Sequence, residues 1–214
     1  MCTDPAAGMV EAAQAEAGRR GLTNIHFRQC SADDLPFADC TFDVAVSRLS
    51  AMFFGDPVTG VREALRVVVE NGYVSFVVWG PEEANPFFST TDVIDQFVEV
   101  SKEDPDAPDP FRFAVPGELA GILAKADAED VVERRLNFQI EVRAGLAFSF
   151  DQFWQLRTEM SESLRNKLAG FTPAQLVPLK EAVADAARRY FASGNMSFPA
   201  EALIVSGKRR MGTE

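Results

Sequence analysis

Apolar and polar residues alternate along Ile25-His26-Phe27-Arg28-Gln29, the pattern of a short strand. Asp33-Asp34-Leu35-Pro36-Phe37 interrupts it, because proline lacks an amide donor and turns its predecessor away from helix. Phe42-Asp43-Val44-Ala45-Val46-Ser47 then supplies a β-branched run of the kind buried on both faces of a parallel sheet. Ahead of this pair, Met1 to Asp4 reads as the end of a strand. Gly8 to Gly21 reads as a helix, with Met9, Ala12, Ala13 and Ala17 at helical spacing. Glu11 near its start and Arg19-Arg20 near its end suit the helix dipole, and Gly21 supplies a stop. Each strand leads into a loop at its carboxyl end, the place where open α/β sheets bind ligands.

Further on, Asp56-Pro57 opens a second helix, with Asp as N-cap and Pro in the first turn. Val61, Leu65 and Val68 form its buried stripe, Asn71-Gly72 ends it, and Tyr73 to Trp79 is the next buried strand. Phe87 and Phe88, a helix from about Thr91 to Val100, and the proline-rich run from Asp104 to Pro110 mark residues 82–114 as an insertion. Pro116 to Ala126 is a short helix and Ala128 to Val142 is strand material. Ser149 to Ser193 predicts two helices, the first capped by Ser149 or Asp151 and the second begun by Thr172-Pro173. Pro199 to Lys208 is a closing strand.

Bulk properties narrow the function classes. A chain of 214 residues suits one domain, here taken as 1–214. The apolar share of 47% and charged share of 25% are ordinary for a soluble protein, with cytoplasmic residence as the expectation. No apolar run approaches the ~20 residues of a membrane span. A net charge of -11 disfavours nucleic acid, which binds by displacing counterions with Lys and Arg. Cys2, Cys30 and Cys40 lack metal-ligand spacing, and the single histidine, His26, sits inside a strand, so no metal site is expected.

The run Ser31-Ala32-Asp33-Asp34-Leu35-Pro36-Phe37, followed by Phe42-Asp43-Val44-Ala45-Val46-Ser47, resembles the class I S-adenosylmethionine-dependent methyltransferases, in particular their ubiquinone-biosynthesis-like type 11 group. Asp4-Pro5-Ala6-Ala7-Gly8-Met9 and Val77-Val78-Trp79-Gly80-Pro81 carry the likeness outward. The resemblance implies an α/β, Rossmann-like class I methyltransferase fold, with S-adenosylmethionine as cofactor and a small, largely apolar methyl acceptor. It also implies an N-terminally truncated version of that fold, with the first strand and helix missing, and a helical lid over residues 145–197.

By resemblance, Asp4 takes the ribose position and Met9 packs on adenine. Asp-Pro fits a helix N-cap equally well, and Met9 fits a core position. Ser31 stands where the family more often has Asp for the adenine amine, with the Ala32 amide beside it; Asp33 and Asp34 are candidates to compensate, with a solvated loop as the stronger reading. Ser47 and Arg48 fall where the methionine part meets the acceptor. Phe53, Trp79, Phe87, Phe88 and Trp154 are the aromatic candidates for an acceptor pocket, although each taken singly suits a core position better. No catalytic residue is singled out, because a sulfonium is an activated donor and the protein chiefly aligns two reactants.

No Gly-x-Gly-x-Gly turn follows any strand. Weak cofactor binding is therefore expected, together with a homo-oligomer, most simply a dimer, in which another copy covers an open sheet edge. The rival reading is a non-catalytic, oligomeric remnant of the fold acting as a binding or assembly protein. A hydrolase is excluded for want of a nucleophile elbow with histidine.

Overall fold

The computed structural model describes residues 1–98, 109–142, 148–191 and 195–211. They form two compact units, one built from residues 1–78, 109–134 and 203–211 and the other from residues 79–98, 135–142, 148–191 and 195–202. The Glu99–Val100 end of the expected third helix and the Asp104–Pro108 part of the proline-rich run lie outside the described residues, as do residues 145–147 and 192–194 of the expected lid.

The chain opens with strand β1 (Cys2–Asp4), helix α1 (Ala7–Arg19) and strand β2 (Phe27–Gln29). β1 and β2 pair in parallel, with Asp4 opposite Gln29. α1 ends where Gly21 takes a φ of +67°, a left-handed geometry that a side chain disfavours. Strand β3 (Phe42–Arg48), helix α2 (Pro57–Val67) and strand β4 (Val68–Trp79) follow. β3 and β4 are parallel, as a strand–helix–strand unit requires. Asp56 caps α2, its Oδ1 accepting the Val58 amide at 3.0 Å and its Oδ2 the Thr59 hydroxyl at 2.8 Å.

α2 stops at Val67, earlier than the expected Asn71-Gly72 end, because the chain turns into strand at Val68. Asn71, at φ +62°, and Gly72 instead absorb a register shift between β3 and β4. Gly72 approaches backbone so closely that a Cβ there would lie 2.8 Å from the Asp43 carbonyl. In the first unit, Val61, Leu65, Val67, Val74, Leu119 and Leu123 are buried; the last two lie on α4 (Glu118–Lys125).

Two parallel pairs do not merge into one sheet. β1 and β2 stand alone, while β3 and β4 join the strands β6 (Ser197–Lys208) and β5 (Glu129–Glu141) in the order β3-β4-β6-β5. β3 is thus an edge strand, and the expectation of burial on both faces fails. None of its seven residues is buried, and Val44 and Val46, on one face, are 52% and 78% exposed. The β-branched pattern is correct for a strand; what the chain does not place over that face could not be read from the pattern.

The second unit holds α3 (Pro86–Ser89), a 3-10 turn over Asp92–Gln96, α5 (Phe150–Met160), α6 (Glu162–Leu168) and α7 (Pro173–Ala187). Three helices therefore occupy the stretch where two were expected. Ser161 closes α5 and its hydroxyl accepts the Leu164 amide to begin α6. The starts were legible: Ser149 and Gln152 form a capping box, as do Thr172 and Gln175. The core of this unit is aromatic, with Phe153 stacked on Phe198 at 5.3 Å and Tyr190 on Phe198 at 4.3 Å.

Candidate functional site

In the first unit the loops at the carboxyl ends of β1, β2 and β3 carry the candidate cofactor residues. Asp4 ends β1. Its Oδ1 accepts the Ala6 amide at 2.8 Å, and its carbonyl accepts the Cys30 amide at 3.2 Å. The helix N-cap is Ala6, so Asp4 is not the cap; it pins the turn that leads into α1. A carboxylate offers about four acceptor positions, so this contact leaves capacity for two hydroxyls of a ligand. Gln29 Nε2 donates to the Pro5 carbonyl at 2.9 Å and holds the β1 and β2 ends together. Ser31 and Ala32 follow within three residues of that tie. Met9 is 60% exposed, so a core role for it is ruled out.

Asp33 departs most from the expected solvated loop, whereas Asp34 is exposed as expected. The Asp33 amide donates to Ser31 Oγ at 3.3 Å, and its Oδ2 accepts the Asp56 amide at 3.5 Å, near the limit of such a bond. Its Oδ1 is buried without a hydrogen-bond partner and faces Gly60, where a Cβ would lie 3.2 Å from it. One side chain thus spans from the β2 loop to the start of α2. Two glycines, Gly55 and Gly60, make room for it.

Ser47 Oγ lies 2.7 Å from Ser50 Oγ, which fixes the turn leaving β3. Arg48 is exposed, with no ion pair among the described residues. Leu49 adopts a φ of +57° while its amide donates to the Val77 carbonyl at 2.7 Å. A branched side chain held in the left-handed region costs of order 1–3 kcal/mol, and such strain gathers at binding loops. Phe53 is 51% exposed, and Arg112 Nη1 donates to the neighbouring Phe54 carbonyl at 2.9 Å. Asp4 and Ser31 are brought to one strand end and Ser47 and Arg48 to another, with Asp33 reaching toward the second from the first.

The clamp beneath this loop was not foreseen. Arg66 on α2 donates to the Leu35 and Phe37 carbonyls and to Asp39 Oδ1, each at 2.8 Å. Glu63 accepts from Arg66 Nε at 2.7 Å and from the Leu35 amide at 2.9 Å. The Arg66 hydrogen bond holds the Glu63 carboxyl below its usual range against the opposing effect of burial, and Glu63 with Asp39 keeps the guanidinium firmly charged. Only the three-residue spacing of Glu63 and Arg66 hinted at it. Burial pushes the Cys30 thiol up, which lowers its thiolate share at neutral pH.

The remaining aromatic candidates belong to the second unit. Phe87 is buried, edge-on to Phe153 at 5.5 Å and Phe198 at 5.6 Å, and serves as core. Trp79 and Phe88 are half-buried, their rings 4.9 Å apart, and Trp154 is half-buried beside the aromatic core. A separate open groove of about 500 Å³ is lined by Glu83, Pro86, Asn137, Phe138, Tyr190 and Pro199, and none of these four candidates borders it.

Residues 1–76 match the family model described as a methyltransferase domain. The chain is 36% identical over 91 residues to the uncharacterized methyltransferase YcgJ of Bacillus subtilis, an alignment that takes in 42% of the chain and 33% of that protein. It is 39% identical over 69 residues to the uncharacterized protein YafE of Escherichia coli, covering 32% of the chain and 33% of YafE. The chain thus spans about a third of the length of the curated relatives it matches. The crystal structure of YcgJ superposes with a TM-score of 0.57 at 20% identity, over 98% of the chain and 82% of YcgJ, and shows the Rossmann-like fold. The [4+2]-cyclase SpnF superposes at 0.50 with 19% identity, over 98% of the chain and 65% of SpnF. No helix among the described residues is long and apolar enough to cross a membrane.

Proposed function

We propose that the protein, whose residues 1–76 match the methyltransferase domain model, transfers a methyl group from S-adenosylmethionine to a small, largely apolar acceptor by direct displacement. Asp4 takes the ribose hydroxyls, Met9 the adenine face, Ser31 and Ala32 the adenine edge, and Ser47 with Arg48 the methionine end. Phe53 stands at the acceptor side of the β3 loop, and Trp79, Phe88 and Trp154 are the acceptor candidates of the second unit, Phe87 being core. The protein's own part is to align donor and acceptor and keep water away, since the leaving thioether needs no proton.

The observation that carries this reading is the placement of Asp4. A carboxylate stands at the carboxyl end of a parallel strand, fixed by the Ala6 amide at 2.8 Å and still able to accept from a ligand. Affinity is expected to be weak, because no glycine-rich turn accompanies it. Calorimetric titration of the 214-residue chain with S-adenosylmethionine tests both points. The expected result is a dissociation constant weaker than micromolar that is lost in Asp4→Ala. Binding that Asp4→Ala leaves unchanged refutes the assignment, and micromolar or tighter binding refutes the weak affinity.

A homodimer through the open edge of β3 belongs to the same reading. The opposite edge strand, β5, carries six charged residues, Glu129, Asp130, Glu133, Arg134, Arg135 and Glu141, which resist pairing. β3 presents Val44-Ala45-Val46 and carries only two charged residues, Asp43 and Arg48, at either side of that run. Sedimentation velocity on wild type and Val46→Lys is the check: the dimer is expected to dissociate in the variant, and a monomeric wild type sinks the idea.

A further inference from the structure

In the second unit, Arg157 on α5 is only 6% exposed, yet no carboxylate among the described residues forms an ion pair with it. Its Nη2 donates to the Phe88 carbonyl and to Thr91 Oγ1, both at 3.2 Å. Its guanidinium carbon lies over the Phe87 ring at 5.3 Å and the Phe88 ring at 5.1 Å. These are neutral partners. Nε is buried with no hydrogen-bond partner. Burial disfavours the charge, but an arginine remains protonated in proteins, so the site holds a cation that is incompletely matched.

The unmatched guanidinium borders a cavity of about 60 Å³ lined also by Thr91, Asp92, Ser161, Leu164 and Lys167. That is the room of about two water molecules at ~30 Å³ each. Lys167 lies on the same wall, its Nζ paired with Asp95 Oδ1 at 2.6 Å, and its remaining donors are open to a second anion. Asp92 acts on Arg157 without pairing with it, and its carboxyl is held up to about 7 by burial first and then by Glu82 and Asp95. At and below neutral pH a large share of Asp92 is therefore an uncharged acid, hydrogen-bonded to the Glu82 side chain.

We propose that this cavity binds a small carboxylate, seated on the Arg157 guanidinium with Lys167 and the Ser161 hydroxyl beside it. The chemistry follows from the donor set. A planar carboxylate matches the edge of a guanidinium, charge-assisted bonds to it are short and strong, and the volume admits the carboxylate head and little more. Neither water nor a neutral acceptor would supply the missing negative charge. The site lies wholly within the second unit and does not depend on how the first unit holds a cofactor.

The test is calorimetric titration of the full chain with sodium formate and sodium acetate at constant ionic strength, with chloride and phosphate as controls. Saturable binding of formate and acetate is expected, weakened at least tenfold in Arg157→Gln and in Lys167→Met. Arg157→Gln alters a buried position and is open to misfolding. Lys167→Met, at a partly exposed position, keeps the test sharp, with circular dichroism to verify its fold. Butyrate separates a free ion from the head of a longer molecule: rejection points to the former, binding to the latter, and both keep the site. No saturable response to formate or acetate overturns the proposal. So does equal affinity in a folded Lys167→Met, or saturation by phosphate or chloride instead.

Discussion

Asn85 and Glu201 pair as two backbone segments would, although one partner is a side chain. Asn85 Nδ2 donates to the Glu201 carbonyl and Asn85 Oδ1 accepts the Glu201 amide, both at 3.1 Å. Nδ2 also reaches the Pro81 carbonyl at 2.9 Å and the Gly80 carbonyl at 3.2 Å, and Asn85 is wholly buried. An amide is the side chain that offers an acceptor to the strand and donors to several carbonyls at once. Asn85→Asp sets a carboxylate against three carbonyl oxygens. A loss of about 1–3 kcal/mol per group left unpaired is expected. Urea unfolding at pH 7 reads it. The deficit should shrink in acid, where the substituted carboxyl regains a proton to donate, and a deficit that is the same at both pH values contradicts this account.

The Glu63–Arg66 clamp gives a pH signature of the opposite kind. The folded state holds the Glu63 carboxyl below its usual 4.5 through Arg66 and the Leu35 amide. A lowered folded pKa means that the unfolded chain binds the proton more readily. Its contribution is therefore complete above about pH 4.5 and is lost as pH falls through the lowered folded value. Glu63→Gln should narrow the stability difference between pH 6 and pH 3, measured as midpoint temperatures in matched buffers. Arg66→Met should loosen the Leu35–Phe37 turn and cost about 2–3 kcal/mol, because it strands a mostly covered carboxylate and two carbonyls.

These two clusters show where sequence patterns stop being informative. Alternation, β-branched runs, caps and prolines placed every described strand and the starts of α2, α5 and α7, since those depend on neighbours in sequence. The end of α2 was misjudged because Asn71 and Gly72 are turn formers by type. Here they absorb a shift of register against β3, which only the partner strand decides. Asn85 and Arg157 give no usable signal, because their partners lie up to 116 positions away, and Arg66 gives only its three-residue spacing from Glu63. Asp33 was misread for the same reason: an acidic loop residue looks solvated until the glycines that admit it, Gly55 and Gly60, are seen beneath it.

Asp92 should make the second unit less stable as the solution turns alkaline. Burial, then Glu82 and Asp95, raise its carboxyl from 3.8 to about 7, with Lys167 opposing, although part of the side chain stays exposed. Between those values the folded chain holds the proton that the unfolded chain has released. Stability therefore declines as pH rises from about 4 to about 7 and then levels. Asp92→Asn should flatten that slope, raising the midpoint temperature at pH 8 and leaving it unchanged at pH 4. A variant that runs parallel to wild type across this range would show that Asp92 titrates normally.

Gly60 and Gly121 make a paired test of how tightly the β3 loop is built. At Gly60 a Cβ would lie 2.6 Å from the Phe54 ring and 3.2 Å from Asp33 Oδ1, in the loop assigned to cofactor and acceptor. The Phe54 ring would have to move, and with it the strap from Asp33 to Asp56. Gly60→Ala should cost about 1–3 kcal/mol through overpacking, and weaken whatever S-adenosylmethionine binding the chain shows. At Gly121, inside α4, the same Cβ meets nothing within 4 Å. There the substitution removes only the flexibility of glycine in a helix, so Gly121→Ala should stabilise by about 0.4–1 kcal/mol and leave cofactor binding unchanged. Equal effects of the two substitutions, by urea unfolding and by calorimetry, would mean that the packing of Phe54 and Asp33 over Gly60 does not hold the loop.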